Sequence, residues 1–473
     1  MQTHWIDNRS YPGGGDSLDI LNPATEELID TIPRGDISDV DTAVSSARDA
    51  FEPWSARSPM QRRALILQAI DRLLEIRDEV AHCLTLEMGK PLAQSIQEIT
   101  KAAESMRTYA EMVIHLRSGQ QMTADMELNF QQRFARGVAA CVMPWNFPVI
   151  LGLDNVVPNL LVGNTVVWKP SEKTPLSSRL VVERIFDHLP SGVVNLLLGD
   201  GPTVGEALVR HPQVDLVVFV GSERTGRHLA AICGQNLKKV ILELGGKDAL
   251  IIDETVDVAA AASMAADAAF ANAGQICTST ERLYVAKKIF PEFVVALTEH
   301  ARAISQGNGL QAGIKMGPLV DHNQLHVVST QVQEAVDAGA YVHHGGARLK
   351  GKGFFYPPTV LSNLDPACRL MTEETFGPIA PCIPFDDFDE AITLANQTRF
   401  GLASMVMTTS ATRGLRAIHS LRAGMVKINT LRGKAPGGTS EPVKSSGLGH
   451  GYGMEFFQEI TTQKSVHWRA TIS

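Results

Sequence analysis

The sequence predicts an α/β protein with two lobes and a small β arm, and three observations lead to that prediction. Short β-branched runs alternate with helix-like windows from about residue 136 to 245. A second alternating series runs from about residue 249 to 430. Such alternation is typical of a parallel sheet covered by helices. A polar, hairpin-like segment, Met122–Arg136, and a strand-like end of the tail, Ser465–Trp468, predict the arm.

The first third of the chain is predicted to be largely helical. Ser58 precedes Pro59 and is followed by Gln61, which is the pattern of a capping box with proline at the first helical position. One apolar face follows, formed by Ile66, Ile70, Leu73 and Leu74. Gly89 and Pro91 are predicted to end this helical region.

The strands of the two alternating series are mostly apolar, as buried parallel strands should be. In the first series they are Val138–Val142, Thr165–Trp168, Val193–Leu198, Val217–Val220 and Val240–Leu244, with helices at 176–188, 203–210 and 224–236. The second series includes Ala249–Ile252, Leu283–Ala286 and Gly424–Ile428. We predict a first lobe from residues 1–121 and 137–245, a second from 246–445, and an arm from 122–136 and 446–473. Exposed strands such as those of the arm usually pair with another chain.

Composition excludes several classes of protein. The 473 residues suggest two or three domains, and 43 basic against 51 acidic residues give a net charge of −8. Neither a nucleic-acid nor a membrane-surface footprint is indicated. The apolar stretch Val156–Trp168 is too short and too interrupted to span a bilayer.

The cysteines point to a reducing compartment. Six are present, at 83, 141, 233, 277, 368 and 382, and none forms a C-x-x-C pair or has a histidine at zinc-ligand spacing. We therefore expect reduced thiols, no metal and a cytoplasmic protein. Met1–Ser10 has no secretory signal pattern.

Three side chains have the chemistry of a catalytic site, and each has a simpler reading. Cys277 lies three residues after Gly274 and follows a small-residue helix window; a lone cysteine is usually a buried small hydrophobe, but a partly exposed thiolate attacks carbonyl carbons. Glu243 ends a predicted buried strand; it is either a solvated or paired strand end or a general base with a raised pKa. Asn146, framed by two prolines, is either a turn residue or an oxyanion donor.

Two further segments have features of a nucleotide site. The run Val217–Gly226 reads as strand, glycine turn and helix, which is a natural phosphate seat as well as an ordinary βα turn. Arg227 stands where a P-loop would have lysine, so ATP is disfavoured. Lys169 and Glu172 follow another strand and either bind two ribose hydroxyls or form a solvated pair.

Together these residues resemble the aldehyde dehydrogenase superfamily over roughly residues 5–468. The matching segments, in order, are Glu87–Pro91, Pro144–Pro148, Gly163–Val167, Lys169–Glu172, Phe219–Ser222, Glu243–Lys247, Gly274–Cys277 and Glu373–Pro378. The resemblance implies two Rossmann-like lobes, the first binding the cofactor and the second catalytic, with an oligomerisation arm.

The resemblance also implies roles for individual residues. Cys277 resembles the nucleophile that forms a thiohemiacetal and then a thioester, Asn146 with the Cys277 backbone N–H resembles the oxyanion hole, and Glu243 resembles the base for the hydrolytic water. The positions that match cofactor contacts are Trp145, Lys169, Glu172, Gly201, Ser222, Leu244, Glu374 and Phe376. A carboxylate at Glu172 favours NAD over NADP, because it accepts from a 2′-hydroxyl and repels a 2′-phosphate.

The chain departs from the family pattern around the predicted substrate site. Asp154 and Asn155 stand where many relatives have a basic or aromatic pair, and Ala271 stands where relatives acting on succinate semialdehyde have arginine. Asp154 is either a determinant for a neutral or cationic aldehyde or a solvated helix residue. Gly451 replaces a glutamate that relays protons in some relatives.

Two other positions bear on the substrate. Arg432 is the one cation that the sequence places near the entrance of the site, and it could bind a substrate carboxylate. Ile276, beside the nucleophile, should narrow the pocket against bulky head groups.

We therefore predict NAD-dependent oxidation of a neutral aliphatic or aromatic aldehyde to the carboxylate, by a homodimer or homotetramer. The enzymatic alternative is a succinate-semialdehyde type of dehydrogenase that uses Arg432. A coenzyme-A-acylating enzyme is disfavoured by Glu243. The alternative from another class is a catalytically idle protein on the same fold, which the joint presence of Cys277, Glu243 and Asn146 disfavours.

Overall fold

The computed structural model describes residues 1–116, 122–124, 127–430 and 437–469, and its first section combines two small hairpins with four helices. The strands are β1 His4–Ile6, β2 Arg9–Tyr11, β3 Ser17–Leu21 and β4 Leu28–Pro33. The helices are α1 Ile37–Ser55, α2 Pro59–Glu75, α3 Arg77–Met88 and α4 Leu92–Met112. The capping box at Ser58 and Gln61 is present at the start of α2.

The predicted end of the helical region at Gly89 and Pro91 is wrong. Gly89 does end α3, in the left-handed conformation with φ +88° that glycine tolerates at a helix C-terminus. However, α4 begins directly after Pro91 and continues for 21 residues. The two residues therefore mark a corner between two helices, because a proline just before a helix loses no intrahelical hydrogen bond.

The middle sections contain the two alternating series. The first comprises β5 Met122–Ala124, β6 Glu127–Ala135, β7 Val138–Val142, α5 Pro148–Val162, β8 Thr165–Lys169, α6 Leu176–Ile185, β9 Val194–Leu196, α7 Glu206–Arg210, β10 Leu216–Val220, α8 Glu223–Gln235 and β11 Lys239–Glu243. The second comprises β12 Asp248–Ile252, α9 Val258–Phe270, β13 Thr280–Ala286, α10 Phe290–Arg302, α11 His322–Asp337, β14 Tyr341–His344, β15 Thr359–Ser362, α12 Arg369–Thr372, β16 Ile379–Phe385, α13 Phe388–Asn396, β17 Ala403–Met407, α14 Ala411–Ser420 and β18 Met425–Ile428. The chain closes with β19 Gly447–Leu448, α15 Gly453–Glu459 and β20 Thr461–Arg469.

The two series form two sheets, each with its own hydrophobic core. The first sheet has the order β19-β11-β10-β7-β8-β9-β1-β2, and its five central strands are parallel. The second has the order β14-β15-β16-β13-β12-β17-β18 and is parallel except for β14. Apolar residues fill both faces of the first sheet, and a separate cluster fills the second lobe. The prediction of two Rossmann-like lobes is confirmed.

The order of strands determines where a ligand can bind on the first lobe. The chain passes through β7, β8 and β9 in one direction, and then returns to place β10 and β11 on the other side of β7. At such a reversal the loops leave β7 and β10 in opposite directions and open a crevice at the carboxyl ends of the strands. The segments that follow β7, β10 and β11 should therefore line a binding site.

The predicted hairpin and terminal strand pair with each other. β20 runs antiparallel to β6, from Thr461 opposite Ala135 to Arg469 opposite Glu127, and β5 completes a three-stranded sheet. The segment just before β20 belongs elsewhere: β19 pairs with β11, and Phe456 and Phe457 pack into the first core. The stretch 446–460 thus lies on the first lobe rather than in the arm, because β11 offers it an unpaired edge.

Candidate active site

One cavity of about 190 Å³ lies where the two lobes meet. The first lobe lines it with the segments that follow β7, β10 and β11, which are the carboxyl ends of those strands. The second lobe contributes segments that precede β13 and β16, which are the amino ends of its strands. The lining residues that the sequence had singled out are Trp145, Asn146, Ser222, Glu243, Leu244, Cys277, Glu374 and Phe376.

The loop that carries Cys277 is tightly folded. Helix α9 ends at Phe270, and three consecutive residues, Asn272, Ala273 and Gly274, then adopt left-handed backbone conformations with φ of 50°, 55° and 71°. The buried Gln275 side chain fixes the next step, since its Nε2 donates to the Asn272 carbonyl at 3.0 Å and its Oε1 accepts from the Val320 N–H at 2.9 Å. These contacts present Cys277, which is partly exposed, to the cavity.

The surroundings of Cys277 favour the neutral thiol. Burial raises the pKa of Cys277, and the negative charges of Glu243, Asp248 and Glu374 raise it further, opposed by a hydrogen bond from the Thr278 backbone. Acidic groups around a sulfur disfavour its thiolate form, because the thiolate would add a further negative charge. Lys427 lies within electrostatic range of this sulfur: burial lowers the pKa of Lys427, and the charges of Asp248 and Cys277 oppose that shift. A thiolate at this position therefore needs a base to take the proton or the support of such a positive charge.

Glu243 is the last residue of β11, and its carboxylate lies near residue 451. The residue is buried, its backbone lies opposite Gly447 of β19, and its carbonyl accepts from the Gly221 N–H at 3.0 Å. A Cβ atom built on Gly451 would lie 3.1 Å from Glu243 Oε2. Gly451, which stands where some relatives have glutamate, therefore lies directly beside the Glu243 carboxylate.

Asn146 connects the two lobes through hydrogen bonds. Its side-chain Nδ2 donates to the Gln275 carbonyl at 3.1 Å, two residues before Cys277. Its own backbone carbonyl accepts from Lys90 Nζ at 2.8 Å and from Asn272 Nδ2 at 3.4 Å. No local pattern predicts a role for Lys90 or Asn272, although Lys90 lies in the matching segment Glu87–Pro91.

Glu374 and Phe376 stand on the opposite wall. Glu374 Oε1 accepts from the Gly246 N–H at 3.1 Å, and a Cβ built on Gly245 would lie 2.5 Å from the same oxygen. Burial, then the charge of Glu281, raises the pKa of Glu374 to about 8. The Phe376 ring meets the Trp145 ring edge to face, with centroids 5.3 Å apart.

A buried ion pair holds this wall in place. Lys247 Nζ lies 2.6 Å from Glu281 Oε2, and it also donates to the Thr375 hydroxyl at 2.9 Å. The Glu281 carboxylate accepts from the backbone N–H groups of Thr375 and Phe376, each at 2.8 Å. The backbone around Glu374 is therefore fixed from beneath.

Lys169, Glu172 and Gly201 lie outside the cavity lining but on the same edge of the first sheet, whereas Ser222 lines the cavity. Lys169 ends β8 and is buried; its Nζ donates to the Pro170 carbonyl at 2.9 Å and lies 3.4 Å from Glu172 Oε2. Gly201 opens the turn after β9, and a Cβ built there would meet no atom within 4 Å. Ser222 caps α8 by accepting from the Thr225 N–H at 3.3 Å.

The predicted substrate residues have mixed outcomes. Asp154 is buried on α5 and accepts a hydrogen bond from the Ser105 hydroxyl, so the reading of a solvated helix residue is wrong. Every residue of α5 except Ile150 is buried, because the helix packs between the sheet and α4. Ile276 is partly exposed but is not in the cavity lining. Arg432 lies outside the described residues.

The charge of Asp154 acts on the same surroundings as that of Glu243. Burial raises the pKa of Tyr452, and the charges of Glu243 and Asp154 add to the effect. The pKa of Tyr109 is raised by burial first and then by the same two carboxylates. The carboxylates of Asp154 and Glu243 therefore act electrostatically on the same two tyrosines.

Comparison with known proteins identifies the family. The model of the Aldehyde dehydrogenase family matches residues 11–466. The chain belongs to the aldehyde dehydrogenase family. It is 35% identical over 465 residues to phenylacetaldehyde dehydrogenase of Pseudomonas fluorescens, covering 95% of this chain and 92% of that one. It is also 35% identical over 477 residues to lactaldehyde dehydrogenase of Escherichia coli, covering 98% of each.

Solved structures agree with this assignment. The betaine aldehyde dehydrogenase of Staphylococcus aureus, solved in complex with NAD⁺, superposes with a TM-score of 0.97 at 30% identity, covering 100% of this chain and 96% of that one. The protein is thus an oxidoreductase that acts on aldehyde groups with NAD(P).

No helix in the described part of the chain is long and apolar enough to cross a membrane. Within residues 1–116, 122–124, 127–430 and 437–469, histidine, cysteine, aspartate and glutamate side chains form no cluster suited to hold a metal ion.

Proposed function

We propose that the protein oxidises an aldehyde to the carboxylate through a covalent thioester on Cys277, with NAD as the preferred hydride acceptor. The observation that carries this proposal is the convergence of Cys277, Asn146 and Glu243 on one cavity. Five of the predicted cofactor residues line the same cavity: Trp145, Ser222, Leu244, Glu374 and Phe376. A nucleophile, an amide donor and a carboxylate are the groups that acyl chemistry by this route requires.

The first half-reaction forms the thioester. The Cys277 thiol passes its proton to solvent water as the sulfur attacks the carbonyl carbon, and the C=O π bond opens to a thiohemiacetal oxyanion that accepts from Asn146 Nδ2 and the Cys277 N–H. The Asn146 amide has two N–H donors; the Gln275 carbonyl holds one of them, which orients the other. A bound nicotinamide supplies the hydride acceptor, so the carbon loses two electrons when the C–H bond breaks.

The second half-reaction frees the enzyme. Glu243 accepts a proton from a water molecule while the oxygen of that water attacks the thioester carbon. The bond from this carbon to the Cys277 sulfur then breaks and the carboxylic acid is released. Glu243 suits this role because its carboxylate lines the cavity, where it can accept a proton from a water molecule beside the thioester. Gly451 has no side chain that could carry a proton from Glu243, so we propose that solvent, rather than a glutamate at 451, exchanges the proton.

The residues present fit a dinucleotide. The capped amino end of α8 at Ser222 offers free N–H groups to a pyrophosphate, and the open space at Gly201 can accept an adenine. We propose that Lys169 and Glu172 bind the adenine ribose and that Glu374 and Phe376 hold the nicotinamide ribose, with Trp145 and Leu244 as further contacts.

The preference for NAD is tested at Glu172. In a Glu172→Gln variant we expect kcat/KM with NADP to rise about tenfold relative to NAD, because the variant no longer repels a 2′-phosphate. Glu183, a similarly exposed glutamate paired with Arg179, provides the control Glu183→Gln, which should leave the ratio unchanged. An unchanged ratio in Glu172→Gln would show that another residue decides the cofactor.

We propose a neutral or cationic aldehyde as the substrate. The support is the buried acid Asp154, whose charge reaches the same tyrosines as that of Glu243. An Asp154→Asn variant should lose kcat/KM for aminoaldehydes more than for benzaldehyde. A strong preference of the parent enzyme for succinate semialdehyde would contradict this and favour the Arg432 alternative.

The chemical roles are tested by separating the two half-reactions. Cys277→Ala should abolish NADH formation while NAD binding, followed by fluorescence, stays within threefold. Glu243→Gln should keep a single-turnover burst of NADH but lose steady-state turnover by at least 10²-fold. Cys368→Ala, a partly exposed cysteine outside the cavity lining, is the matched control and should have parental kcat. Parental turnover in Cys277→Ala would refute the mechanism and leave the idle-protein alternative open.

We also propose that the protein is a homo-oligomer held partly by its edge strands. β20 and β18 each lie at an edge of their sheet in the described part of the chain. Trp468 on β20 is 61% exposed. Leu415, on the helix α14 that packs beside β18, is 58% exposed. A Trp468→Arg/Leu415→Arg variant should sediment as a smaller species than the parent; equal sedimentation would argue against these contacts.

A further inference from the structure

Lys90 is a fully buried cation at the junction of the two lobes. It follows Gly89 in the corner between α3 and α4, and Gly309 and Gly317 of the second lobe pack against the backbone there. Its ammonium lies 2.5 Å from Glu98 Oε2, 2.8 Å from the Asn146 carbonyl and 3.9 Å from the centre of the Phe147 ring. A single Nζ atom therefore fixes these three partners relative to one another.

Glu98 extends this connection to the helix that follows Asn146. Its Oε1 accepts from the N–H groups of Val149 and Ile150, at 3.1 and 3.2 Å, in the first turn of α5. A carboxylate at the amino end of a helix satisfies donors that have no intrahelical partner. Lys90 and Glu98 thus hold the chain on both sides of Asn146, one at its carbonyl and the other at residues 149 and 150.

The second lobe holds Asn146 from the other side. Asn272 Nδ2 lies 3.4 Å from the Asn146 carbonyl and 3.2 Å from the Gln275 carbonyl, and the latter accepts from the Asn146 side chain at 3.1 Å. The orientation of the Asn146 amide relative to Cys277 therefore depends on where its backbone is anchored. In the first lobe, Lys90 is the anchor that the described contacts show.

We propose that Lys90, paired with Glu98, is a positioning residue that sets the Asn146 amide at the distance from Cys277 needed to stabilise the oxyanion. The inference rests on the proposed function, since it acts through the donor role of Asn146. A buried charge has a high cost, and burial accordingly lowers the pKa of Lys90 while Glu98 opposes the shift. A neutral residue would pack this corner at lower cost, so the ammonium has a purpose that packing does not explain.

A purely structural role predicts a different result, and a double-mutant cycle on kcat separates the two. Loss of an oxyanion donor lowers kcat by about 10²–10³-fold, and a misplacement near 1 Å costs about 10²-fold. If Lys90 acts through Asn146, Lys90→Met should lower kcat 10- to 100-fold in the parent but less than threefold in an Asn146→Ala background. The KM for NAD should stay within threefold in Lys90→Met.

Two further variants serve as controls for misfolding and for the general loss of a buried lysine–glutamate pair. Lys90→Met/Glu98→Gln removes the buried unpaired carboxylate while retaining an acceptor for Val149 and Ile150, so it should fold even where Lys90→Met does not, and it should show the same non-additivity. Lys247→Met breaks the other buried lysine–glutamate pair of the site, which does not contact Asn146. Its loss of kcat should multiply with that of Asn146→Ala.

The outcomes distinguish this inference from the function on which it rests. Losses that multiply between Lys90→Met and Asn146→Ala would overturn the positioning role while leaving the oxyanion role of Asn146 intact. Parental kcat in Asn146→Ala itself would overturn the proposed mechanism and this inference together. Strong non-additivity for Lys90, with multiplication for Lys247, would support it.

Discussion

The loop before Cys277 depends on a glycine that the structure leaves no room to replace. Gly274 has φ +71° and is the third of three left-handed residues. A Cβ built on it would lie 2.9 Å from Pro378 N and still closer to the Gly377 carbonyl oxygen. A Gly274→Ala substitution therefore forces apart the backbone that carries Cys277 and the backbone that carries Glu374 and Phe376.

The size of the effect follows from these distances. Ordinary van der Waals contact begins at 3.4 Å, so even Pro378 N must retreat by about 0.5 Å, and the nearer carbonyl oxygen must move further. Because both neighbours are main-chain atoms, the displacement, on the order of 1 Å, passes to the reacting groups, and such a shift costs about 10²-fold in rate. The left-handed backbone adds roughly 1–2 kcal/mol of strain for alanine.

The assay is NADH formation, with the thermal midpoint measured in parallel. Gly313→Ala is the matched control, since Gly313 also has a positive φ, +81°, but a Cβ there meets nothing within 4 Å. We expect both variants to lose stability through strain and only Gly274→Ala to lose kcat, by about 10²-fold. A Gly274→Ala enzyme with kcat within threefold of the parent would refute the reasoning from close packing.

The remaining predictions concern buried carboxylates. Burial raises the pKa of Glu87 to about 7, from 4.5, so the folded state holds a proton that the unfolded state releases. About 3 kcal/mol of folding stability is therefore lost as the pH rises from about 4.5 to 7. Glu87→Gln should flatten the pH dependence of the thermal midpoint. Glu374 has a pKa of about 8, so the KM for NAD should fall between pH 7 and 9 as the carboxylate forms, and Glu374→Gln should abolish that trend. Gly451→Ala would place a Cβ 3.1 Å from Glu243 Oε2, and it should slow thioester hydrolysis severalfold while leaving the NADH burst intact. A burst that slows in parallel with hydrolysis would contradict this last prediction.

The buried strands were the part of the fold most open to prediction from sequence. The run Val138–Val142 coincides with β7, and Val217–Val220 and Val240–Leu244 match β10 and β11 within a residue. A parallel strand covered on both faces is mostly apolar, so a short apolar run between turn residues predicts such a strand. The corner at Gly89 and Pro91 was misread because the same residues end one helix and precede another.

The burial of Asp154 could have been predicted from the composition of the helix around it. A single aspartate in a helix is usually solvated, yet α5 is almost entirely apolar apart from Asp154, Asn155 and Asn159. A helix that is apolar on all sides is buried, and its polar residues are then buried with it. The composition of the whole helix, rather than the side chain alone, predicted its environment.

The supporting residues of the site could not be predicted from local patterns. Lys90 and Glu98 are of the types most often found on surfaces, and nothing within ten residues of either indicates that both are fully buried. Their partners lie about fifty residues away, at Asn146 and at the start of α5. The packing of α4 against α3 and α5 within the first lobe brings these groups together.

The two lobes present opposite ends of their sheets to the cavity, and this arrangement explains why the site needs such anchors. The first lobe offers the carboxyl ends of its strands, where free helix amides suit a dinucleotide, while the second offers loops that enter β13 and β16. Cofactor affinity can therefore be built on one lobe and nucleophile geometry on the other. We therefore expect the reacting distance to depend on the two hydrogen bonds that join the lobes at Asn146, to the Gln275 carbonyl and from Asn272 Nδ2, and on Lys90, which anchors Asn146 within the first lobe.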